Sequence, residues 1–211
     1  EMCIRDRNSY GTSINLTKLS DKHQLTTGAA VDASRIGYGS NQAACDDLDS
    51  TRAPEDCADA ESQAKLKGRT TALGIYASDT WNATDRTFVT IAGRFNNAVV
   101  NNKLNNYVSS VSTSEEFTYR SFNPSLGITY KTSPSVSIFA NIGRSNRVPT
   151  AIELGCADSA YPCRLPTGLQ ADPYLKQVIA QTLETGIRWA ISGDTGINAS
   201  IYRSDNKNDI L

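Results

Sequence analysis

Eight stretches of this sequence alternate large apolar side chains with small or polar ones at a period of two, and the segments joining them are by turns short and long. The stretches cover 8–19, 23–39, 69–81, 86–99, 116–130, 135–144, 178–191 and 197 onward. In 125–130, Leu126, Ile128 and Tyr130 oppose Ser125, Gly127 and Thr129. In 178–191, Leu183, Thr185, Ile187, Trp189 and Ile191 oppose Glu184, Gly186, Arg188 and Ala190. Successive side chains on a pleated backbone point to opposite faces, so period two predicts strand. The connections 20–22, 82–85, 131–134 and 192–196 hold three to five residues each. Their content is turn chemistry: small hydroxyls, Asp, Asn, Gly and a proline that a ladder would not accept. The connections 40–67, 101–114 and 145–176 hold fourteen to thirty-two.

Antiparallel hairpins with every long loop at one rim predict an all-β fold, an antiparallel transmembrane barrel with short inner turns and long outer loops. Each stretch supplies the ~9–11 residues that a tilted strand needs to cross a bilayer. Soluble sandwiches favour strands of about 5–6 residues and show no such asymmetry. No apolar run approaches the ~20 residues of a membrane-spanning helix, and the mean hydropathy of −0.39 does not count against a barrel, whose strands bury only every second side chain in lipid. Trp81 beside a short turn suits an interfacial aromatic girdle. Glu184 and Arg188, opposite the apolar face of their strand, are expected to point into a polar lumen.

The net charge of −1 and the absence of a basic stripe give no case for nucleic acid. A single histidine, His23, leaves little from which to build a nucleophile–base pair, so no catalytic residue is assigned and no enzyme is expected. No cofactor is expected either. The first seven residues fit nothing that follows and read as a non-native, adapter-derived segment, which leaves 8–211 as one partial barrel domain. Without Cys3, four cysteines remain, Cys45 with Cys57 and Cys156 with Cys163, each pair inside one polar loop. That arrangement predicts two disulfides and an oxidising compartment. A zinc site is not supported, since neither pair has Cys-x-x-Cys spacing and His23 lies far away. The acidic loop 40–67 reads as solvated surface before it reads as a cation site.

Four pieces in series resemble the TonB-dependent receptors, gated transporters of the Gram-negative outer membrane. Gly74-Ile75-Tyr76-Ala77-Ser78-Asp79-Thr80-Trp81 resembles one of the family's strands, and Phe122-Asn123-Pro124-Ser125-Leu126-Gly127-Ile128-Thr129-Tyr130 another. Phe139-Ala140-Asn141 with Arg144-Ser145-Asn146-Arg147-Val148-Pro149-Thr150 is similar to a third, and Leu183-Glu184-Thr185-Gly186-Ile187-Arg188 to a fourth. The resemblance covers 69–211 and implies a barrel of about 22 strands, near the upper sizes for this architecture, of which about eight are present. It implies energised uptake of a ferric siderophore, cobalamin or similar metal chelate. The implied partners are that extracellular ligand, the TonB complex acting through a plug domain that this chain lacks, and outer-membrane lipid or lipopolysaccharide. Two alternatives stand at this point: an internal piece of a large receptor, or a complete, plug-less eight-stranded barrel or porin. If the loops bind a chelate, Arg144, Arg147 and Arg164 could pair with its carboxylate or catecholate oxygens and Tyr161 could stack on it. Arg144 and Arg147 could equally brace the barrel rim.

Overall fold

The computed structural model describes residues 2–42, 61–106, 110–155 and 175–209. Eight strands follow in order: β1 (Met2–Leu19), β2 (His23–Gln42), β3 (Glu61–Asn82), β4 (Thr87–Asn106), β5 (Val111–Lys131), β6 (Val136–Arg147), β7 (Val178–Ala190) and β8 (Gly196–Lys207), with one short helix, α1 (Ala151–Gly155), between β6 and β7. They form one antiparallel sheet in sequence order. Among the described residues β1 pairs only with β2 and β8 only with β7, so the sheet is an open segment of barrel wall.

The registers contain the tilt of that wall. The first hairpin closes at Leu19 opposite Gln24, and Gln24 continues across the sheet to Thr80 and Thr90. The second closes at Asn82 opposite Phe88, two residues beyond Thr80. Phe88 leads to Thr129, and the third closes two residues further, at Lys131 opposite Ser137. Ser137 leads to Arg188, and the fourth closes two residues further again, at Ala190 opposite Gly196. The turns therefore step by two residues per hairpin, one per strand. With a rise of about 3.3 Å per residue and a strand spacing of about 4.8 Å, the step corresponds to a tilt of about 35°, at the lower end of the tilt range of closed barrels.

The two faces differ as the alternation requires. One carries apolar rungs such as Ile14, Ala29, Ile75, Phe95 and Phe122, or Ile91, Leu126, Ile142 and Leu183, exposed except for the half-buried Ala29. The other carries Thr17, Thr26, Ser78, Ala92, Ser125, Gly143, Thr182 and Ser204 on a single rung, tied at its ends by the hydroxyl pairs Thr17–Thr26 (3.2 Å) and Thr182–Ser204 (3.1 Å). An exposed apolar face in a chain of this kind faces lipid, and the polar face is the lumen wall. Trp81, Tyr130 and Trp189 lie on the apolar face beside successive short turns, each one rung lower than the last. That descent matches the step of the turns, so the three rings stand at one height and form a girdle. From Trp81 to Leu73 the apolar ladder of β3 climbs about 22 Å along the barrel axis, close to the ~25 Å apolar band of an outer-membrane barrel.

Above the band the polarity inverts. The lipid-side face now shows Arg35, Arg69, Asn101 and Glu116 on one rung and Lys67 with Lys103 on the next. The inner face there buries Tyr38, Leu66 and Leu104 in one cluster and Val100, Ala151 and Leu154 in another. Outside the membrane the outer surface must be wetted and the inner one can form a core, and that exchange marks where the bilayer ends.

Two expectations change. The segment 101–114, expected as a long connection, is mostly ladder: Asn101 to Asn106 pair with Glu116 to Val111. Its many asparagines argue against strand by propensity, but backbone pairing and the burial of Leu104 and Asn102 override that. The loop 40–67 shrinks likewise, since β2 runs to Gln42 and β3 starts at Glu61. Residues 2–7 pair with β2, from Met2 opposite Asn41 to Arg7 opposite Ile36, a ladder that uses only backbone groups which every residue but proline supplies.

Candidate functional site

The long-loop end of the lumen is where the wall stops being a plain sheet. The β5–β6 ladder ends at Ser125 opposite Gly143, although β5 extends upward and β6 stays paired with β7 to Arg147 opposite Val178. The next residue of β5, Pro124, has no N–H to offer. Side-chain amides fill the fork instead. Asn96 and Asn123 both donate through Nδ2 to Asn146 Oδ1, at 3.1 and 2.7 Å. Asn146 Nδ2 donates to Gln177 Oε1 at 3.2 Å, and Gln177 Nε2 to the Arg120 carbonyl of β5 at 2.8 Å. The chain thus crosses from β6 to the inner side and returns before β7, with Tyr119 Oη donating to the Leu175 carbonyl at 2.9 Å.

Between those crossings α1 sits on the inner face of β3 and β4. Thr150 is its N-cap and Glu153 its third residue: the Thr150 amide donates to Glu153 Oε2 at 2.6 Å, and the Glu153 amide to Thr150 Oγ1 at 3.2 Å, a capping box. Arg147 Nη1 reaches both Glu153 oxygens at 3.0 Å. Pro149, fully buried, enters just before the cap. The buried Asn102 donates through Nδ2 to the Ala151 carbonyl at 2.8 Å. The helix comes this close because residue 68 is glycine: a Cβ there would stand 2.2 Å from that of Ala151. Lower on the lumen wall, the Arg94 guanidinium lies 5.6 Å from the Tyr76 ring centre and Arg188 lies 4.3 Å from that of Phe139, so Arg188 points inward as expected.

The sequence-predicted site residues separate. Arg147 is engaged in the cap of α1 and holds the helix rather than offering a free guanidinium. Arg144 lies on the lipid-side face, on a rung with Gln181, and does not join Arg147. Tyr161, Arg164 and the pairs Cys45–Cys57 and Cys156–Cys163 fall outside the described residues. The sequence reading passed over α1 and the amide relay. Thr150-Ala151-Ile152-Glu153 directly after a proline is a helix-start signature and could have found the first. Nothing local could have found the relay, whose members come from four separated segments.

A sheared, antiparallel wall with a lipid-side apolar band, an aromatic girdle and a loop segment folded into its mouth defines a large outer-membrane barrel of the receptor kind. A sequence model of the TonB dependent receptor-like β-barrel matches residues 4–211, and the chain belongs to that family, whose barrels lie in the Gram-negative outer membrane. No curated protein matches it in sequence. Among solved structures it is similar to the ferric-catecholate import receptor Fiu of E. coli K12 in its closed form (TM-score 0.70, 18% identity, 97% of this chain and 32% of that one). It is also similar to the ferric yersiniabactin uptake receptor FyuA of Yersinia pestis (0.65, 16%, 97% and 29%) and to the copper transporter OprC (0.65, 18%, 96% and 30%). The chain spans less than a third of each of these proteins.

Proposed function

We propose that this chain is a wall segment, with its outer loops, of a receptor that takes up a ferric siderophore, cobalamin or similar metal chelate with energy delivered by TonB to a plug domain. The observation that carries the reading is the open edges of the sheet, β1 pairing only with β2 and β8 only with β7 among the described residues. Eight strands with unpaired edges sweep only part of a circumference, as a large barrel requires and a small closed one does not. The polar lumen wall suits a folded domain inside the barrel. On this reading residues 8–211 are one partial barrel domain whose loops face the exterior. The disulfides Cys45–Cys57 and Cys156–Cys163 restrain two of those loops, Tyr161 and Arg164 offer stacking and charge to the chelate, and Arg147 acts by fixing α1.

The test is uptake of radiolabelled iron, presented as a panel of ferric chelates, by cells carrying the complete receptor. Uptake of at least one chelate that stops when TonB is deleted supports the proposal. Uptake of small solutes that persists without TonB would establish the passive porin.

A further inference from the structure

The amide relay at the fork has its head on the lumen wall. Arg94 Nε donates to Asn96 Oδ1 at 2.7 Å, and Asn96 Nδ2 to Asn146 Oδ1 at 3.1 Å. Asn146 Nδ2 then donates to Gln177 Oε1 at 3.2 Å, and Gln177 Nε2 to the Arg120 carbonyl at 2.8 Å. Every bond runs in the same direction. Each amide turns its oxygen toward Arg94 and its nitrogen away, so the guanidinium, which can only donate, fixes which way round the later amides stand. A cationic donor also makes the first bond charge-assisted and polarises those behind it. The head is placed by the backbone: residue 74 is glycine, and a Cβ there would collide with Arg94 Nη2 and stand 2.9 Å from Asn96 Oδ1. Tyr76, the rung partner of Arg94, supports the guanidinium with its ring.

The relay ends where the chain crosses to α1 and where it returns. Asn146 precedes the outgoing crossing and Gln177 follows the incoming one. Val148 and Leu175, on those two crossings, pack with Val100, Ala151 and Leu154 in one cluster, so tying residue 146 to residue 177 also holds the seat of α1. The closed arrangement carries a cost of its own. Asn123 Oδ1, at the relay, and Ser121 Oγ, two residues along β5, are buried with no hydrogen-bond partner, and water reaching them on opening would relieve that. Two arrangements therefore compete, and the directed bonds decide between them.

We propose that these bonds form a clasp controlled from the lumen. With the Arg94 guanidinium on Asn96 the two crossings are tied and α1 stays seated; a carboxylate arriving in the lumen beside Arg94 neutralises the head, loosens the clasp and frees α1. The complete receptor in detergent is compared with Arg94→Met, Tyr76→Glu and Tyr76→Gln by hydrogen exchange at Leu154 of α1. Exchange at Ile91, lower on β4, and heat-modifiable gel migration check that the wall itself is intact. Tyr76→Glu places a carboxylate across the rung from Arg94, and Tyr76→Gln matches it without the charge. Arg94→Met should accelerate exchange at Leu154 about tenfold or more while Ile91 is unchanged. Tyr76→Glu should accelerate it about threefold or more over Tyr76→Gln, and that difference should vanish once Arg94→Met is added. Unchanged exchange at Leu154 in Arg94→Met would overturn the clasp, as would equal acceleration at Ile91, which would mean a loosened wall. Equal exchange in the two Tyr76 variants, or a difference that persists without Arg94, would overturn control by a lumen carboxylate.

Discussion

The seat of α1 can be tested at one atom. In Gly68→Ala the new Cβ would lie 2.2 Å from the Ala151 Cβ and 2.8 Å from Ile36 Cγ2. Ile36 can rotate, but Ala151 is fixed to the helix, which has to retreat by about 1.5 Å to reach ordinary contact. That retreat stretches the 2.8 Å bond from Asn102 Nδ2 to the Ala151 carbonyl beyond hydrogen-bonding range. Overpacking costs about 1–3 kcal/mol and the buried bond about 1 more, so α1 should lose about 2–4 kcal/mol of local stability. The readout is amide exchange at Leu154, whose N–H donates to the Thr150 carbonyl at 3.0 Å, measured in the complete receptor. Exchange through local opening should accelerate about 30- to 1,000-fold. Adding Ala151→Gly removes the opposing methyl, and the double variant should recover all but the ~1 kcal/mol cost of a glycine in a helix. Unchanged exchange in Gly68→Ala would refute this seat for the helix, as would failure of the double variant to recover.

The cap of α1 gives a milder test: Glu153→Ala should speed Leu154 exchange about tenfold, whereas Glu153→Gln, which keeps an acceptor for the Thr150 amide, should cost less than half of that free energy because Arg147 is part-exposed. The face assignment predicts that Leu126→Arg, mid-band on the lipid side, destabilises the folded barrel by about 2–4 kcal/mol in denaturant titration in lipid, while its neighbour Ser125→Arg, facing the lumen, changes stability by less than about 1. For the loops, thiol alkylation followed by intact-mass measurement without reductant should leave Cys45, Cys57, Cys156 and Cys163 unmodified. Modification of any of the four would break that cysteine's pairing.

The sequence was most legible inside the membrane, where lipid imposes apolar residues on one face and leaves the lumen polar. The alternation of 125–130 and 178–191, and the short turns between hairpins, follow from that single constraint. Legibility failed where the constraint lapses. Above the band the phase reverses, so Leu66, Val100 and Leu104 point inward while Lys67, Asn101 and Lys103 point outward, and a reading keyed to one apolar face stops there and reports loop. The site was harder still. Arg144 and Arg147 are three residues apart in β6, an odd separation, so strand alternation alone sets them on opposite sides of the wall. The fork lies just above, where the β5–β6 ladder ends at Ser125 and Gly143. No spacing rule contains that fork. Pro124, which ends the pairing, belongs to the other strand.

The fork and the helix together decide between the two barrel sizes. A closed eight-stranded barrel with one residue of shear per strand has an interior just wide enough for its own side chains. An α-helix with side chains is about 10–12 Å across, and α1 lies on the inner face, against the row of Ile36, Gly68 and Asn102. A wall curved tightly enough to bring β8 back to β1 would leave no space for it. The same conclusion follows from the edges, since β1 and β8 present 18 and 12 residues of backbone whose outward-facing groups have no partner in lipid. The chain expressed alone and refolded in detergent should therefore aggregate, and it should give no discrete band whose gel migration shifts on boiling. A heat-modifiable monomer with strand-type circular dichroism would mean that β1 and β8 do meet. In that case α1 must leave the inner face, and hydrogen exchange at Leu154 in that monomer would show it unprotected.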